Sequence, residues 1–594
     1  MMPARRTSPL GDAFHVFDTT LRDGAQREGI TYSVADKLAV AGLLDELGVG
    51  FIEGGWPGAM PKDTEFFARA AAGELTLRTA QLVAFGATRK AGTTAAQDPQ
   101  VQALLDSQAP VITLVAKSDV RHVERALRTT REENVEMVRD TVAHLVAAGR
   151  RVFLDCEHFF DGYAFDRDYG LQVARAAVDA GADVVVLCDT NGGMLPVDVH
   201  RVVTEVVQRT GFRIGIHCQD DTGCAVANTV AAVQAGATHA QCTANGYGER
   251  AGNADLFAVL GNLVTKLGLP VLPEDGLAEM VRVSHALAEL ANIAPDTHQA
   301  YVGSSAFAHK AGLHASAIKV DPELYNHLDP ALVGNDMRIL ITEMAGRASV
   351  ELKARELGVD ISGQPGVIGA VVDTVKSREA AGWSYEAADA SFELLLRDTL
   401  DQAERAAGRE ATVEPTRAFR LESYRVIVES QPPNAVDGGV APGSGPSTVT
   451  VPAVSSEATV KVHVGGRRVI ATAEGNGPVN ALDSALRLAV SEQFPEIDQM
   501  ELVDYKVRIL ADSAGTDSVT RVLVSSAMGG REWTTVGVHA NVVEASWQAL
   551  VDAMVYALAQ PSLAAGSASV PAAGVDGVSS PVAAGGPGGV PLAG

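Results

Sequence analysis

Short apolar runs rich in β-branched residues recur along the first 270 residues. Each is followed by a longer stretch whose apolar positions keep helical spacing. The runs are "FHVFDTT" (14–20), "VGFIEGG" (49–55), "QLVAFGA" (81–87), "PVITLVAK" (110–117), "RVFLDCEH" (151–158), "DVVVLCDT" (183–190), "RIGIHCQDD" (213–221) and "THAQCTANG" (238–246). In the intervening "REENVEMVRDTVAHLVAAG", Val135, Val138, Val142, Leu145 and Val146 fall on one helical face. Several of these stretches close on glycine, at Gly48, Gly149, Gly181 and Gly236.

Eight strand–helix units in about 250 residues is the size of an α/β fold of the (β/α)8 TIM-barrel type. A doubly wound open sheet is the rival, and the even spacing favours the barrel. Polar residues gather at the strand ends: Asp18, Glu53, Glu157, Asp189 with Thr190, His217 with Gln219, and Asn245. The carboxyl ends of barrel strands are where such folds build their sites.

Residues 1–274 are therefore read as the barrel, and 275–415 as a mostly helical linker subdomain containing "SSAFAHKAGLHASAI". From 416 to 560 alternation returns. "ATVKVHV" and "RRVIATAEG" precede the helix "VNALDSALRLAV", and "SVTRVLVSSA" and "REWTTVGVHA" precede "NVVEASWQALVDAMVYAL". This repeat predicts a duplicated α/β regulatory or dimerisation module, with Asn541 and Glu544 as a capping pair. The Pro/Gly-rich 431–447 reads as a flexible insertion, and the aperiodic 561–594 as a disordered tail.

A length of 594 residues implies two to four domains. The net charge of -25 argues against a nucleic-acid partner, leaving room only for a local basic pocket toward a phosphorylated ligand. Cys156, Cys188, Cys218, Cys224 and Cys242 form no C-x-x-C pair and read as reduced thiols. There is no apolar signal core and no uninterrupted 18-residue apolar run, so no membrane partner and a cytoplasmic location are expected.

Three segments carry candidate chemistry. In "FDTTLRDGAQREG" (17–29), Asp23 reads either as a helix cap or as a metal-binding carboxylate beside Arg22. In the second case the metal polarises a carbonyl and the arginine steadies an oxyanion. His217 and Gln219, two apart on a strand, share a face, while Cys218 faces away. They are either a satisfied polar strand end or two ligands of one ion. "NGYGERAGN" (245–253) is a glycine-rich turn in which Glu249 and Arg250 suit an ion pair and Asn253 offers an oxygen.

Taken together, "DTTLRDGAQ", the segment from His217 to Asn228, "NGYGERAGN" and "HKAGLHASA" resemble the 2-isopropylmalate synthase / homocitrate synthase / citramalate synthase family, in family order across about residues 12 to 560. "IEGGWPGAMPKDTEFF" and "CEHFFDGYAFD" are similar to its citramalate synthase branch. The resemblance implies a metal-dependent barrel enzyme with a C-terminal regulatory domain. Such an enzyme condenses acetyl-CoA with a 2-oxo acid and then hydrolyses the thioester. It further implies pyruvate as the oxo acid, a place in isoleucine biosynthesis, isoleucine as effector and a homodimer. The alternatives are 2-oxoisovalerate, in the leucine route, or a non-catalytic amino-acid-sensing relative.

Carried over by motif, Asp23, His217, Gln219 and Asn253 are the expected metal set. Arg22, Gln26, Glu157 and Thr190 hold substrate, and Arg22, Glu157 and His314 are the expected catalytic residues. Two positions depart from the family pattern. Gln219 stands where most members have a second histidine, which makes the set oxygen-rich and favours Mg2+ or Mn2+ over Zn2+. Met337, in "DPALVGNDMR", stands where some synthases carry a tyrosine, leaving Tyr325 as the nearby candidate.

Overall fold

The computed structural model describes residues 7–408, 418–431, 453–510 and 518–560. Residues 432–447 of the expected insertion and the expected tail lie outside them. The chain forms two compact units, Met1–His309 with Val320–Arg338, and Lys310–Lys319 with Ile339–Gly594.

The eight apolar runs of the first unit are eight strands: β1 (His15–Asp18), β2 (Phe51–Gly55), β3 (Gln81–Ala87), β4 (Val111–Lys117), β5 (Arg151–Glu157), β6 (Val184–Asp189), β7 (Ile214–Cys218) and β8 (His239–Cys242). They close a parallel barrel in which β1 pairs with both β2 and β8. Alternation sorts the side chains. Along β6, Val184, Val186 and Cys188 fill the interior with Phe17, Phe51 and Phe153. Val185 and Leu187 face the helical layer. The aromatic rings fill the lower barrel, with Phe51 and Phe153 5.3 Å apart edge to face, and a cleft opens at its carboxyl end.

The helices obey local signals. Helix Val34–Leu47 starts on a capping box of Ser33 and Asp36 and stops at left-handed Gly48 (φ +102°). A Cβ at Gly48 would stand 2.3 Å from Pro273 Cδ, so both backbone and neighbour demand glycine there.

The stretch 275–415, expected as one linker, is divided between the two units. Met280, Val283, Leu287, Tyr301, Val302 and Phe307 join the barrel's apolar core. Ile341, Val350, Val371, Tyr385, Phe392 and Leu396 build a separate core in the second unit. That unit also holds the duplicated module. Strands Phe419–Gln431, Ala453–Val464 and Arg467–Gly475 form one antiparallel sheet followed by helix Pro478–Val490. Strands Glu501–Ile509, Thr520–Met528 and Arg531–His539 form the other, followed by helix Val542–Leu558. Val460, Leu482, Leu486, Trp533, Trp547 and Met554 knit the halves together. Asn541 caps its helix through the Val543 N–H at 2.9 Å. Glu544, the expected second half of that cap, instead accepts from the Tyr424 hydroxyl. Among the described residues no helix is long and apolar enough to cross a membrane.

Candidate active site

The chain leaves β1 at Asp18 and turns sharply. The Thr19 carbonyl accepts from the N–H groups of Arg22, Asp23 and Gly24 at 3.1, 2.9 and 3.0 Å. Asp18 accepts from the Thr20 N–H (2.9 Å) and hydroxyl (2.8 Å), and Thr20 Oγ1 accepts from the Ala244 N–H beyond β8 (2.7 Å). Burial pushes the Asp18 carboxyl up to about 7 despite these bonds. So anchored, the turn aims Arg22 and Asp23 into the barrel mouth. Asp23 makes no side-chain cap bond to the short turn Gly24–Gln26, which removes the capping alternative.

Arg22 is held on three sides. Its Nε donates to Glu53 Oε2 at 2.6 Å, its guanidinium lies 3.9 Å from the Phe85 ring centroid, and Nη1 stands 3.6 Å from Asp23 Oδ2. The Thr19 hydroxyl fixes the same Glu53 oxygen at 2.6 Å.

Four donors converge beside it. Asp23 Oδ2 lies 3.2 Å from His217 Nε2 and 3.4 Å from Gln219 Nε2, and the nearby Asn253 side chain helps to hold the Asp23 carboxyl down. Burial would raise the Asp23 carboxyl, but the Arg22 charge and the His217 hydrogen bond hold it well below the usual carboxylate range. Burial likewise opposes an imidazolium at His217, and Asp23 outweighs it, moving that pKa above its ordinary value. Gln219 Oε1 and Asn253 Oδ1 are buried and lack hydrogen-bond partners among the described residues. The Asn253 amide is fixed by donation to the Tyr247 carbonyl at 2.9 Å, and a half-turn of the Gln219 amide brings Oε1 to where Nε2 stands. One carboxylate, one imidazole nitrogen and two partnerless amide oxygens fit a divalent cation.

A cleft of about 640 Å³ opens over this cluster, the size of a small-molecule site. Arg22, Asp23, Gln26, Glu157, Thr190, His217 and Gln219 all line it. Glu157 forms an ion pair with Lys117, its register partner on β4. Thr190 Oγ1 accepts the His158 N–H at 2.8 Å. Arg250 binds Asp221 through two hydrogen bonds of 2.7 and 2.9 Å, rather than the neighbouring Glu249, and donates to the Thr190 carbonyl at 2.8 Å. Asn253 approaches Asp23 from the glycine-rich turn. His314 lies on the helix Gly312–Ile318 of the second unit.

Sequence reasoning gave no site role to Glu53, Lys117, Asp155 or Gln241. Gln241 Oε1 meets His217 Nδ1 at 2.8 Å, and Gln241 Nε2 donates to Asp155 Oδ1 at 2.9 Å. Burial, with the nearby Glu53 charge, pushes the Asp155 carboxyl up to about 7. The available signal was alternation: Asp155 lies two residues before Glu157 on β5, and Gln241 is a polar residue within the buried strand β8.

Comparison with known proteins covers nearly the whole described chain. Residues 13–292 match the HMGL-like family model, 301–380 the homocitrate synthase post-HMGL domain-like model, and 386–558 the LeuA allosteric (dimerisation) domain. The chain is 62% identical over 558 residues to the (R)-citramalate synthase of Streptomyces coelicolor, covering 94% of this chain and 99% of that protein. It is 43% identical to the (R)-citramalate synthase of Synechocystis sp., covering 91% and 96%. Identity to the probable 2-isopropylmalate synthase of Methanopyrus kandleri is 32%, covering 91% and 98%.

Proposed function

The chain belongs to the citramalate synthase family, and from that premise we propose that it condenses acetyl-CoA with pyruvate and hydrolyses the thioester, releasing citramalate and CoA. The observation that carries this reading is the convergence, in one cleft, of a pinned arginine with Asp23, His217 and Gln219, with Asn253 reaching Asp23 from the glycine-rich turn beside it. A divalent cation held by these four would polarise the keto carbonyl of the oxo acid when bound.

The chain's own groups supply the rest. Arg22, already oriented by Glu53 and Phe85, steadies the keto oxygen as it gains negative charge. Preorientation means that little rearrangement is needed as the charge develops. Glu157 and Thr190, at the ends of β5 and β6, hold the oxo acid, and Gln26 helps orient the two substrates. By motif, His314 is assigned to proton transfer. The apolar wall of Phe85, Val115 and Cys188 bounds the cleft. An extra methyl group against such a wall changes binding by about 1–3 kcal/mol, enough to separate pyruvate from bulkier oxo acids.

Free-CoA release from acetyl-CoA is the test, with pyruvate set against 2-oxoisovalerate. Preference for pyruvate is expected. Preference for 2-oxoisovalerate would assign the chain to the leucine route, and no turnover with any small 2-oxo acid would favour the sensing role. We also propose feedback inhibition by isoleucine, supported by the match of residues 386–558 to an allosteric domain. Isoleucine at saturating concentration is expected to lower the rate of CoA release from the full-length protein.

A further inference from the structure

We propose that Gln241 is a positioning residue that sets the tautomer of His217, so that Nε2 is presented as a lone-pair donor to a divalent cation. The proposal rests on reading Asp23, His217, Gln219 and Asn253 as the cation set, and it adds a residue from a different strand with no ligand of its own to offer.

Barrel register places Gln241 beside His217, one strand over. Gln241 is 1% exposed and Asp155, on β5, is 3% exposed. Since β5 and β8 are not neighbours in the barrel, the link between them runs through its interior. The Gln241 amide gives its Nε2–H to Asp155 Oδ1 at 2.9 Å. An amide whose NH2 faces a carboxylate turns its carbonyl the other way, and that carbonyl stands 2.8 Å from His217 Nδ1. A carbonyl oxygen only accepts, so Nδ1 carries the proton. In the neutral ring, Nε2 then holds a lone pair 3.2 Å from Asp23 Oδ2. The protonated ring donates from Nε2 to Asp23; once the ring is neutral, a lone pair and a carboxylate oxygen face each other there, and a cation between them relieves their repulsion. The opposite tautomer would donate from Nε2 to Asp23 and close the site to a metal.

The amide has an advantage over a carboxylate at the same place. A carboxylate on Nδ1 would favour the imidazolium, in which Nε2 is protonated and cannot ligate. Gln241 transmits the orientation set by Asp155 without placing its own charge on the ring. Partners of this kind, one shell out from the ligands, change metal affinity by about 10- to 100-fold when removed.

The experiment has two readouts. Mn2+ binding is followed by the electron paramagnetic resonance of free Mn2+. The His217 ring is followed by 15N–1H spectra of metal-free, histidine-labelled full-length protein at alkaline pH, where the ring is neutral, with His217→Gln assigning its signal. In wild type an Nδ1-protonated ring is expected. Gln241→Met, close in size but only a weak acceptor, is expected to bind Mn2+ about 10- to 100-fold more weakly and to shift the ring toward the Nε2-protonated form. Gln241→Glu keeps an acceptor on Nδ1, so its neutral ring is expected to stay Nδ1-protonated, while the added charge favours the imidazolium and moves Mn2+ binding to higher pH. Wild-type Mn2+ affinity in Gln241→Met with an unchanged ring signal overturns the proposal. An Nε2-protonated His217 in metal-free wild type overturns it as well, and does not depend on any variant folding. Failure of wild type to bind Mn2+ overturns the cation-site reading and the proposal with it.

Discussion

Arg22 illustrates how much of the site's chemistry is decided by its surroundings. A lysine there keeps the charge, but it loses the Nε–H donated to Glu53 and the flat stacking on Phe85. Arg22→Lys is therefore expected to lower kcat for CoA release about 100-fold or more, with a smaller change in the KM for pyruvate. Steady-state kinetics on the metal-loaded enzyme checks this. Asp18 gives a pH-dependent prediction. Its folded-state pKa of about 7 exceeds the ordinary 3.8. Below about pH 4 both folded and unfolded chains hold the proton, and between there and 7 only the folded chain does. This contribution to stability is full at low pH, falls as pH rises, and is gone above 7. Asp18→Asn lacks that loss, so its stability relative to wild type should improve by on the order of 4 kcal/mol between pH 4 and pH 8. Parallel unfolding curves at the two pH values measure it, and a difference that does not vary with pH would refute it. Strand ends and two-residue alternation placed Asp23, His217 and Gln219 near the barrel mouth, but their reading as one metal set came from the family resemblance. Gln241 beside His217 and Lys117 beside Glu157 were not legible, because lateral neighbours depend on barrel register.

The elements that deliver these side chains differ in tolerance. The turn before Asn253 is tight: a Cβ on Gly252 (φ +100°) would stand 2.0 Å from the Gly246 carbonyl oxygen. The Gly252 carbonyl also accepts the Asp220 N–H at 2.8 Å, linking this turn to the segment after β7. Gly252→Ala must shift the turn, and with it Asn253. It is expected to weaken Mn2+ binding by about tenfold or more while leaving the barrel folded. Gly193 is the control. It lies beyond β6, with open space at its Cβ and no left-handed backbone, so Gly193→Ala should leave both binding and thermal stability within error of wild type. Equal effects of the two substitutions would show that the turn does not place the ligand. The eight strands themselves were legible from alternation and β-branched composition. The fate of residues 275–415 was not: periodicity marks an apolar stripe on helix Met280–Leu290 and another on helix Asp389–Ala406, but says nothing about which core takes each stripe.

At the scale of the molecule, helix Asp389–Ala406 explains why the C-terminal module is hard to detach. One face, with Phe392, Leu395, Leu396 and Leu400, completes the core that begins at Ile341. Ala390 and Leu394 on another face enter the core of the duplicated module. The Ser391 hydroxyl accepts the Val536 N–H at 3.1 Å and donates to Asp552 at 2.9 Å. The match to the allosteric domain begins at 386, before this helix. Ending the chain at 415 keeps the helix but uncovers Ala390 and Leu394. Ending it at 385 removes Phe392 and Leu396 from the other core. Each buried large side chain so affected is worth about 1.5–3 kcal/mol. Both truncations are therefore expected to aggregate or unfold at lower temperature than the full chain, read by light scattering during a thermal ramp. Activity lost on truncation then reports a broken core rather than a missing effector site. Loss of the proposed isoleucine inhibition should be sought in full-length chains carrying exposed substitutions in the module. A 1–415 chain that stays monodisperse and unfolds at the full-length temperature would show that the helix stands without its second partner.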